Sequence, residues 1–327
     1  MPAIPHLGVF TEADGFSSRP ATSDGLFRVG DGGVTAILAT PDRKVEFVAF
    51  EGRALAHVTS ALGYPAYYPV LPVAPRRPVR AVLMDLDGTT VRSEDFWVWI
   101  IERTTASLRA EPGFALEAAD LPFVSGHSVS EHLQYCLGKY VPGASLVEAR
   151  RHYFAHAHRE MREILDGRGR TDAFRPAPGL APFLQAVKSR GLPIGLVTSG
   201  LHEKAYPAIV AAFRTAGLGD PGAFYDAIIT AGFPLRKGEP GTLGELSPKP
   251  HPWLYAEAFR VGLGLPFELR EAVLGLEDSG AGVCAVRLAG LVTVGVGGGN
   301  VEQSGLRPLC HRYFDSLEEA VGLLDGA

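Results

Sequence analysis

The sequence is poor in cysteine, in uninterrupted apolar runs and in excess positive charge. Its 327 residues include three cysteines, Cys136, Cys284 and Cys310, which lie far apart and form no CxxC pair. That spacing is typical of reduced intracellular thiols and predicts neither a disulfide framework nor a zinc site. No apolar run approaches the ~20 residues of a membrane helix, and the N-terminus lacks the regions of a signal peptide. We therefore expect a soluble, cytoplasmic protein without a membrane partner.

Net charge limits the kind of binding partner, and hydropathy indicates whether the chain folds. A formal net charge of -5 and a pI near 6.1 argue against a nucleic-acid or anionic-membrane surface as the main partner. The hydrophobic content of 46% and the mean hydropathy of +0.09 provide enough apolar material for a core, which excludes a disordered chain. The length predicts two domains, or one large domain with an insertion.

Residues 1–80 form an N-terminal extension whose pattern differs from that of the remaining chain. Residues 1–24 are rich in Pro, Ser, Gly and Asp, which predicts a loop or a partly disordered segment. A hairpin is predicted over 33–50, and the apolar spacing over 55–62 predicts a short helix. Prolines between 65 and 80 predict a stiff linker. A monomer with this α+β extension packed on the main body and a homodimer that exchanges it are both open.

From residue 81 onward, apolar strands alternate with amphipathic helical patterns. The strand candidates are 81–84, 193–197, 226–229, 272–276 and 291–294. This alternation predicts an α/β fold with a doubly wound, Rossmann-like parallel sheet that is covered on both faces. Between the first and second strands only helical patterns occur. Residues 93–177 therefore predict a helical insertion over the carboxyl ends of the strands, and the core consists of 81–92 and 178–327.

The first of these strands ends in two carboxylates. Residues 81–84 lead into Asp85 and Asp87, which Gly88 and two threonines follow. In an extended chain, residues i and i+2 point to the same side, so the strand would bring both carboxylates together at its end. Two acids in such a position repel each other and are costly to desolvate unless a cation or a proton lies between them. The plainer interpretation is a strand followed by an Asp-Gly turn.

Three further polar clusters follow predicted strands. They are Thr198-Ser199-Gly200, Lys249-Pro250-His251-Pro252 and Glu277-Asp278-Ser279. In a doubly wound sheet, ligands bind at the carboxyl ends of the strands, so we expect all of these clusters at one rim. Taken singly, the first and third also fit a helix N-cap, and Lys249 also fits a surface lysine. Their joint order favours a functional site.

This set of groups suits phosphoryl transfer. Carboxylate oxygens suit Mg²⁺, whereas a hydroxyl, backbone amides and an ammonium suit the oxygens of a phosphoryl group. An aspartate can attack phosphorus and form an aspartyl-phosphate intermediate, while a second aspartate acts as general acid and base. The sequence therefore predicts a phosphate ester as the substrate, and the helical insertion over the site favours a small molecule, because a lid would exclude macromolecules.

The four clusters resemble the four motifs of the haloacid dehalogenase superfamily and occur in its order. The matching residues are Asp85-Leu86-Asp87-Gly88-Thr89, Thr198, Lys249-Pro250-His251-Pro252 and Gly275-Leu276-Glu277-Asp278-Ser279. The resemblance covers roughly residues 81–315, and the helical insertion is similar to the C1-type cap of that family. It does not extend to the N-terminal extension.

The resemblance implies roles for the two aspartates of the first motif. Asp85 would be the nucleophile and a Mg²⁺ ligand. Asp87 would be the general acid and base, with its backbone carbonyl on the metal. Because the dehalogenases and phosphonatases of the superfamily lack the second aspartate, Asp87 indicates phosphate-ester chemistry.

The resemblance also implies roles for the other three motifs. Thr198 and Lys249 would bind the transferring phosphoryl group, with Ser199-Gly200 beside them in contact with the substrate. Asp278, with Glu277 next to it, would complete the magnesium site. The expected activity is that of a phosphatase.

The same motif pattern is shared by small-molecule phosphatases and by β-phosphoglucomutase. Trp97 stands where the mutase has a histidine, and Val129 stands where it has an arginine, directly after Gly126-His127-Ser128. We therefore expect hydrolysis, with a sugar phosphomutase as the alternative and a non-catalytic binding protein on the same fold as a third hypothesis. Gly126, His127 and Ser128 of the cap are predicted to contact the substrate. Residues 233–247 predict either a loop that faces the substrate or a surface excursion.

Overall fold

A computed structural model describes residues 3–10, 12–59, 65–124, 129–230 and 247–325. The predicted substrate contacts Gly126, His127 and Ser128 lie outside these residues, as does all but the last residue of the 233–247 segment. None of the described helices combines the length and the apolar character that crossing a membrane requires.

The secondary structure is mixed. The strands, in chain order, are β1 (Ala3–Ile4), β2 (Gly8–Val9), β3 (Ser17–Ser18), β4 (Ala36–Ala39), β5 (Val45–Phe50), β6 (Arg53–Val58), β7 (Ala66–Pro69), β8 (Ala81–Asp85), β9 (Val91–Arg92), β10 (Arg175–Pro176), β11 (Ile194–Thr198), β12 (Ala227–Thr230), β13 (Val273–Glu277), β14 (Val292–Val296) and β15 (Arg312–Phe314). The α-helices are α1 (Glu94–Arg109), α2 (Leu121–Val124), α3 (Val129–Tyr140), α4 (Leu146–Leu165), α5 (Leu180–Ser189), α6 (His202–Ala216), α7 (Pro221–Phe224), α8 (Trp253–Glu257) and α9 (Gly280–Leu288). They fall into two units, drawn from 1–90, 177–202 and 221–327 and from 91–176 and 203–220.

The first unit contains a parallel sheet in the strand order β12-β11-β8-β13-β14-β15. The five predicted core strands are confirmed, and so is the Rossmann-like fold class. Strands β8, β11 and β13 are buried at every position, as a parallel sheet that is covered on both faces requires. Strand β15 was not predicted, because a three-residue edge strand that begins with arginine carries no apolar run.

Strand register aligns the ends of the three central strands. Asp85 on β8 pairs with Val197 on β11, and the residue before Asp85 pairs with Leu276 on β13. Thr198 and Glu277, the next residues of their strands, therefore lie beside Asp85 at the carboxyl edge. This register brings three of the four sequence motifs to one place.

The N-terminal extension is an antiparallel sheet in the order β3-β4-β5-β6-β7. The predicted hairpin is confirmed as β4 and β5. The helix predicted over 55–62 is wrong, because β6 pairs with β5 from Arg53 to Val58. A short apolar run fits both the helical and the strand period, and here cross-strand pairing decides between them. The start of the predicted linker likewise forms β7, which pairs with β6.

The second unit contains helices α1 to α4 and most of α6. The helical patterns predicted between the first and second core strands are confirmed as α1, α3 and α4. Glu94 and Asp95 occupy the first turn of α1, where negative charge is favourable next to the helix dipole. Helix α4 begins after Ser145, whose Oγ accepts a hydrogen bond from the backbone N–H of Glu148 at 3.1 Å.

Candidate active site

A buried cluster of opposite charges lies at the carboxyl end of β8. The ammonium of Lys249 forms ion pairs with Asp85 and with Glu277, whose Oε1 lies 2.5 Å from Nζ. Burial acts to lower the pKa of Lys249, but the two carboxylates outweigh it and raise the pKa, so the lysine is protonated. Burial, and next the charge of Glu277, raise the pKa of Asp85 well above its usual value, against the effect of Lys249.

Glu277 is fully buried and held from two further sides. The hydroxyl of Tyr255 donates to its Oε1 at 2.6 Å, and Ser279 Oγ donates to its Oε2 at 3.2 Å. A Cβ at position 282 would lie 1.9 Å from the Glu277 carboxyl carbon, so the first turn of α9 needs glycine there. Glu277 is thus fixed in the orientation in which it holds Lys249.

Asp278 is enclosed by backbone from two glycines. A Cβ at Gly88 would lie 1.8 Å from Asp278 Oδ2, and a Cβ at Gly299 would lie 2.1 Å from the same atom. Thr89 Oγ1 donates to Asp278 Oδ1 at 3.2 Å, and the N–H of Val301 donates to the Asp278 carbonyl at 3.2 Å. The carboxylate therefore has one tightly defined position.

The acidic groups of this edge fit a divalent cation. Ligand oxygens of Asp85, Glu277 and Asp278 all lie within 4.8 Å of one another. Lys249 forms ion pairs with two of these three carboxylates, so these four groups together carry excess negative charge when all of them are ionised. Oxygen donors and excess negative charge are what Mg²⁺ requires. The side chain of Asp87, which was predicted at the same strand end, is exposed just beyond β8 and is not part of this group.

The second motif is connected to the third. Thr198 Oγ1 accepts a hydrogen bond from the N–H of Gly200 at 2.9 Å, which forms the local turn that its residue type favours. Ser199 Oγ accepts from the N–H of Lys249 at 3.1 Å. A Cβ at Gly200 would lie 4.0 Å from Asp87 Oδ2, so Asp87 faces this turn. The structure thus brings all four predicted motifs together.

Tyr255 and Gly299 of the site were not predicted from the sequence. Tyr255 bonds Glu277, but a tyrosine in a short helix carries no distinctive signal. Thr89 lies in the first motif, but its contact with Asp278 was not predicted. Gly299 lies in a glycine-rich turn after β14 and packs against Asp278, which only the three-dimensional structure reveals.

We expect Gly299→Ala to weaken Mg²⁺ binding by about tenfold, because the added methyl group displaces Asp278 from its position. The backbone of Gly299 does not have a positive φ, so the cost of the change comes from the new contacts with the carboxylate of Asp278 and with its backbone carbonyl oxygen, 2.3 Å from the added Cβ. Mg²⁺ titration monitored by thermal unfolding measures the effect. Gly113→Ala is the matched control, because a Cβ there meets nothing within 4 Å. Equal Mg²⁺ affinities of the two variants would contradict the prediction.

The chain was compared with known protein families and solved structures. Residues 79–290 match the family model of the haloacid dehalogenase-like hydrolases. A similar solved structure is CbbY from Rhodobacter sphaeroides in complex with phosphate, with 20% identity over 76% of this chain and 100% of the other and a TM-score of 0.54. A predicted phosphoglycolate phosphatase from Haemophilus somnus 129pt is 17% identical over 76% and 98%, with a TM-score of 0.56. None of the curated proteins compared with the chain matches it significantly.

At these identities the solved structures establish a shared fold, while the family model covers well over half of the chain. The matched segment contains all four motifs that meet at the carboxyl edge of the sheet. It begins two residues before β8 and ends after α9, and thus leaves the N-terminal sheet outside. The parallel sheet, the four motifs and this match together show that the chain belongs to the haloacid dehalogenase-like hydrolases.

Proposed function

We propose that the protein is a Mg²⁺-dependent phosphomonoester hydrolase that acts on a small phosphorylated metabolite through an aspartyl-phosphate intermediate. The observation that carries this proposal is the buried contact of Lys249 with Asp85 and Glu277, directly beside Asp278. An ammonium held among carboxylates at a strand edge is costly to bury, and a hydrophobic sheet has no need of it. A site that binds a phosphoryl group together with a cation does need such an arrangement, with the ammonium for the phosphoryl oxygens and the carboxylates for the cation.

In the proposed reaction, Asp85 is the nucleophile and Asp87 the proton carrier. A carboxylate oxygen of Asp85 attacks phosphorus, the bond from phosphorus to the ester oxygen breaks, and Asp87 gives its proton to the leaving alcohol. Asp87 then takes a proton from a water molecule whose oxygen attacks the phosphorus, which releases inorganic phosphate and restores Asp85. The exposed position of Asp87 next to the Gly200 turn supports this part, because a general acid and base must reach both substrate and water.

The remaining groups stabilise the charge of the transferring phosphoryl group. Lys249 and the hydroxyl of Thr198 would bind its oxygens. When bound, Mg²⁺ on Asp85, Asp278 and the backbone carbonyl of Asp87 would offset the negative charge that the nucleophile and the phosphoryl group share. Glu277 as a further metal ligand stays a prediction. Its contacts support a role in holding Lys249.

Residues 93–177 would act as the C1-type cap of the family. Within the second unit, to which residues 203–220 also belong, Trp97 packs against the Lys204 ammonium, 3.8 Å from the ring centroid, and against the ring of Tyr153. The mutase has a histidine at the position of Trp97. An indole, unlike an imidazole, has no group that exchanges protons with a sugar hydroxyl. This difference favours hydrolysis over the phosphomutase alternative.

The proposal is tested by phosphate release from a panel of sugar, nucleotide and glycolytic phosphates. We expect release with Mg²⁺ and a loss of at least about a hundredfold in EDTA, restored by added Mg²⁺, because the excess negative charge of the site would otherwise repel the substrate. Isomerisation of a hexose phosphate in the presence of its bisphosphate, without net release, would favour the phosphomutase. Release that is unaffected by EDTA would overturn the magnesium part of the proposal.

A further inference from the structure

The N-terminal sheet shares one hydrophobic core with the helix that follows the fourth motif. Phe16, directly before β3, and Phe47 on β5 belong to the same buried cluster as Cys284 and Leu288 of α9. Helix α9 begins directly after Asp278 and Ser279, so the sheet packs on the helix that follows the acidic residues of the site. The extension is therefore part of the scaffold of the site, although it lies outside the family match.

A buried arginine fastens the extension at two points. Arg287 on α9 donates to the carbonyl of His6 at 2.6 Å and to the carbonyl of Leu71 at 3.0 Å. Burial lowers the pKa of Arg287 to about 10, so the guanidinium is still charged at neutral pH. Its two partners lie before the first strand of the N-terminal sheet and after its last strand. The ends of the extension are thus fixed relative to α9.

From the last strand of this sheet, one side chain reaches the third motif. The hydroxyl of Tyr68 on β7 lies 2.8 Å from Nδ1 of His251, in the Lys-Pro-His-Pro segment. The Tyr68 ring also packs edge-on against His251 and Trp253. His251 is fully buried, and its Nε2 has no hydrogen-bond partner among the described residues. Tyr68 therefore supplies the hydrogen bond by which the described structure holds this imidazole.

The imidazole in turn lies two residues from the lysine that contacts Asp85. Burial lowers the pKa of His251, so its ring is neutral, and the contact of Nδ1 with Tyr68 offsets part of the cost of burying the polar ring. The N–H of His251 also donates to the carbonyl of Pro248, on the other side of Lys249, at 3.1 Å. A displacement of the ring would therefore displace the turn that carries Lys249.

We propose that Tyr68 is a positioning residue for catalysis, through which the N-terminal sheet fixes His251 and, with it, the turn that presents Lys249. Tyr68 belongs to the N-terminal extension and therefore lies outside all four motifs. The N-terminal sheet thus contacts the candidate active site of its own chain and not that of a second protein. The kinetic consequence rests on the proposed function, whereas the position of Lys249 does not.

The neighbouring residue provides a matched control. Tyr67 lies on the same strand, and successive side chains of a strand point to opposite faces. Its hydroxyl donates to Asp24 of the extension, at 2.9 Å to Oδ1, and its ring stacks on His57. Tyr68→Phe and Tyr67→Phe thus each remove one bonded hydroxyl from β7 and keep the ring, but only the first removes a contact to the third motif.

We expect Tyr68→Phe to lower kcat by about tenfold with little change in KM, because a small misplacement of a group that stabilises the transition state costs mainly kcat. Tyr67→Phe should leave kcat within about twofold. His251→Asn should lower kcat similarly, and the double variant Tyr68→Phe/His251→Asn should be no slower than the slower single variant, because both act through one contact. Circular dichroism and thermal unfolding serve to check that all variants fold.

A second readout does not depend on activity. Acylation of Lys249 by acetic anhydride in Mg²⁺-free buffer, quantified by mass spectrometry against the peptide of Lys44, reports how tightly the lysine is held. We expect severalfold faster labelling in Tyr68→Phe than in wild type and Tyr67→Phe. Equal labelling and equal kcat of the two tyrosine variants would overturn the proposal. Faster labelling in a protein that releases phosphate from no ester would support the positioning role and refute the proposed hydrolase.

Discussion

We expect replacement of Asp85 by asparagine to lower the rate of phosphate release at saturating substrate and Mg²⁺ by about 10⁴-fold or more. The carboxamide is nearly isosteric with the carboxylate, but it would not form the proposed aspartyl-phosphate intermediate and would be a weaker metal ligand. The measurement is initial-rate phosphate release with the substrate that the panel ranks first. Trapping of a phosphorylated protein should succeed with wild type and fail with Asp85→Asn.

The variant should remain folded, which makes the rate interpretable. Lys249 keeps Glu277 as a counter-charge, at 2.5 Å, when Asp85 becomes neutral. Asp315→Asn serves as a control, since Asp315 is exposed and follows β15. We expect that change to leave the rate unaltered. A rate for Asp85→Asn within tenfold of wild type, in a folded protein, would mean that another group attacks phosphorus.

The sequence predicted the core sheet because its strands satisfy a single strong requirement. A central parallel strand is buried on both faces, so it is continuously apolar, and β8, β11 and β13 were recognisable for that reason. Strand β6 was mistaken for part of a helix because the few apolar residues over 55–62 fit the helical period as well as the strand period. Its pairing with β5, which lies across a tight turn, decides its structure, and pairing is not visible in periodicity.

The same distinction applies to the site. Asp85, Lys249 and Asp278 were predicted because each directly follows a strand or has a motif around it. That Lys249 contacts Glu277 depends on where β13 lies next to β8, which is a property of strand order. That Tyr68 bonds His251 depends on how a separate sheet packs on α9, and no local pattern contains that information. Sequence thus identified the groups that are proposed to react, whereas the contacts that orient them required the packed structure.

Lys249→Met should lower the free energy of unfolding by about 3–5 kcal/mol at pH 7 in Mg²⁺-free buffer, besides abolishing activity. The methionine fills the space of the lysine stem, but Asp85 and Glu277 are then buried carboxylates that have lost their shared counter-charge. Urea denaturation in EDTA measures the loss. Added Mg²⁺ should restore part of the stability, because a cation that binds only the folded state stabilises it by mass action.

The pH dependence of this loss has a definite sign. The Asp85 pKa is already raised by burial and by Glu277, and removing the Lys249 charge, which lowers it, raises it further. Above the unfolded carboxyl pKa of about 4, the folded variant therefore binds more protons than the unfolded chain, so its stability falls as pH rises. The deficit relative to wild type should be largest near pH 7 and shrink as pH falls towards 4.

Lys188→Met removes a partly exposed ion pair with Asp226 and should cost less than about 1 kcal/mol at either pH. A deficit for Lys249→Met that is as small as this, or that grows on acidification, would show that the buried ammonium does not neutralise the acidic edge.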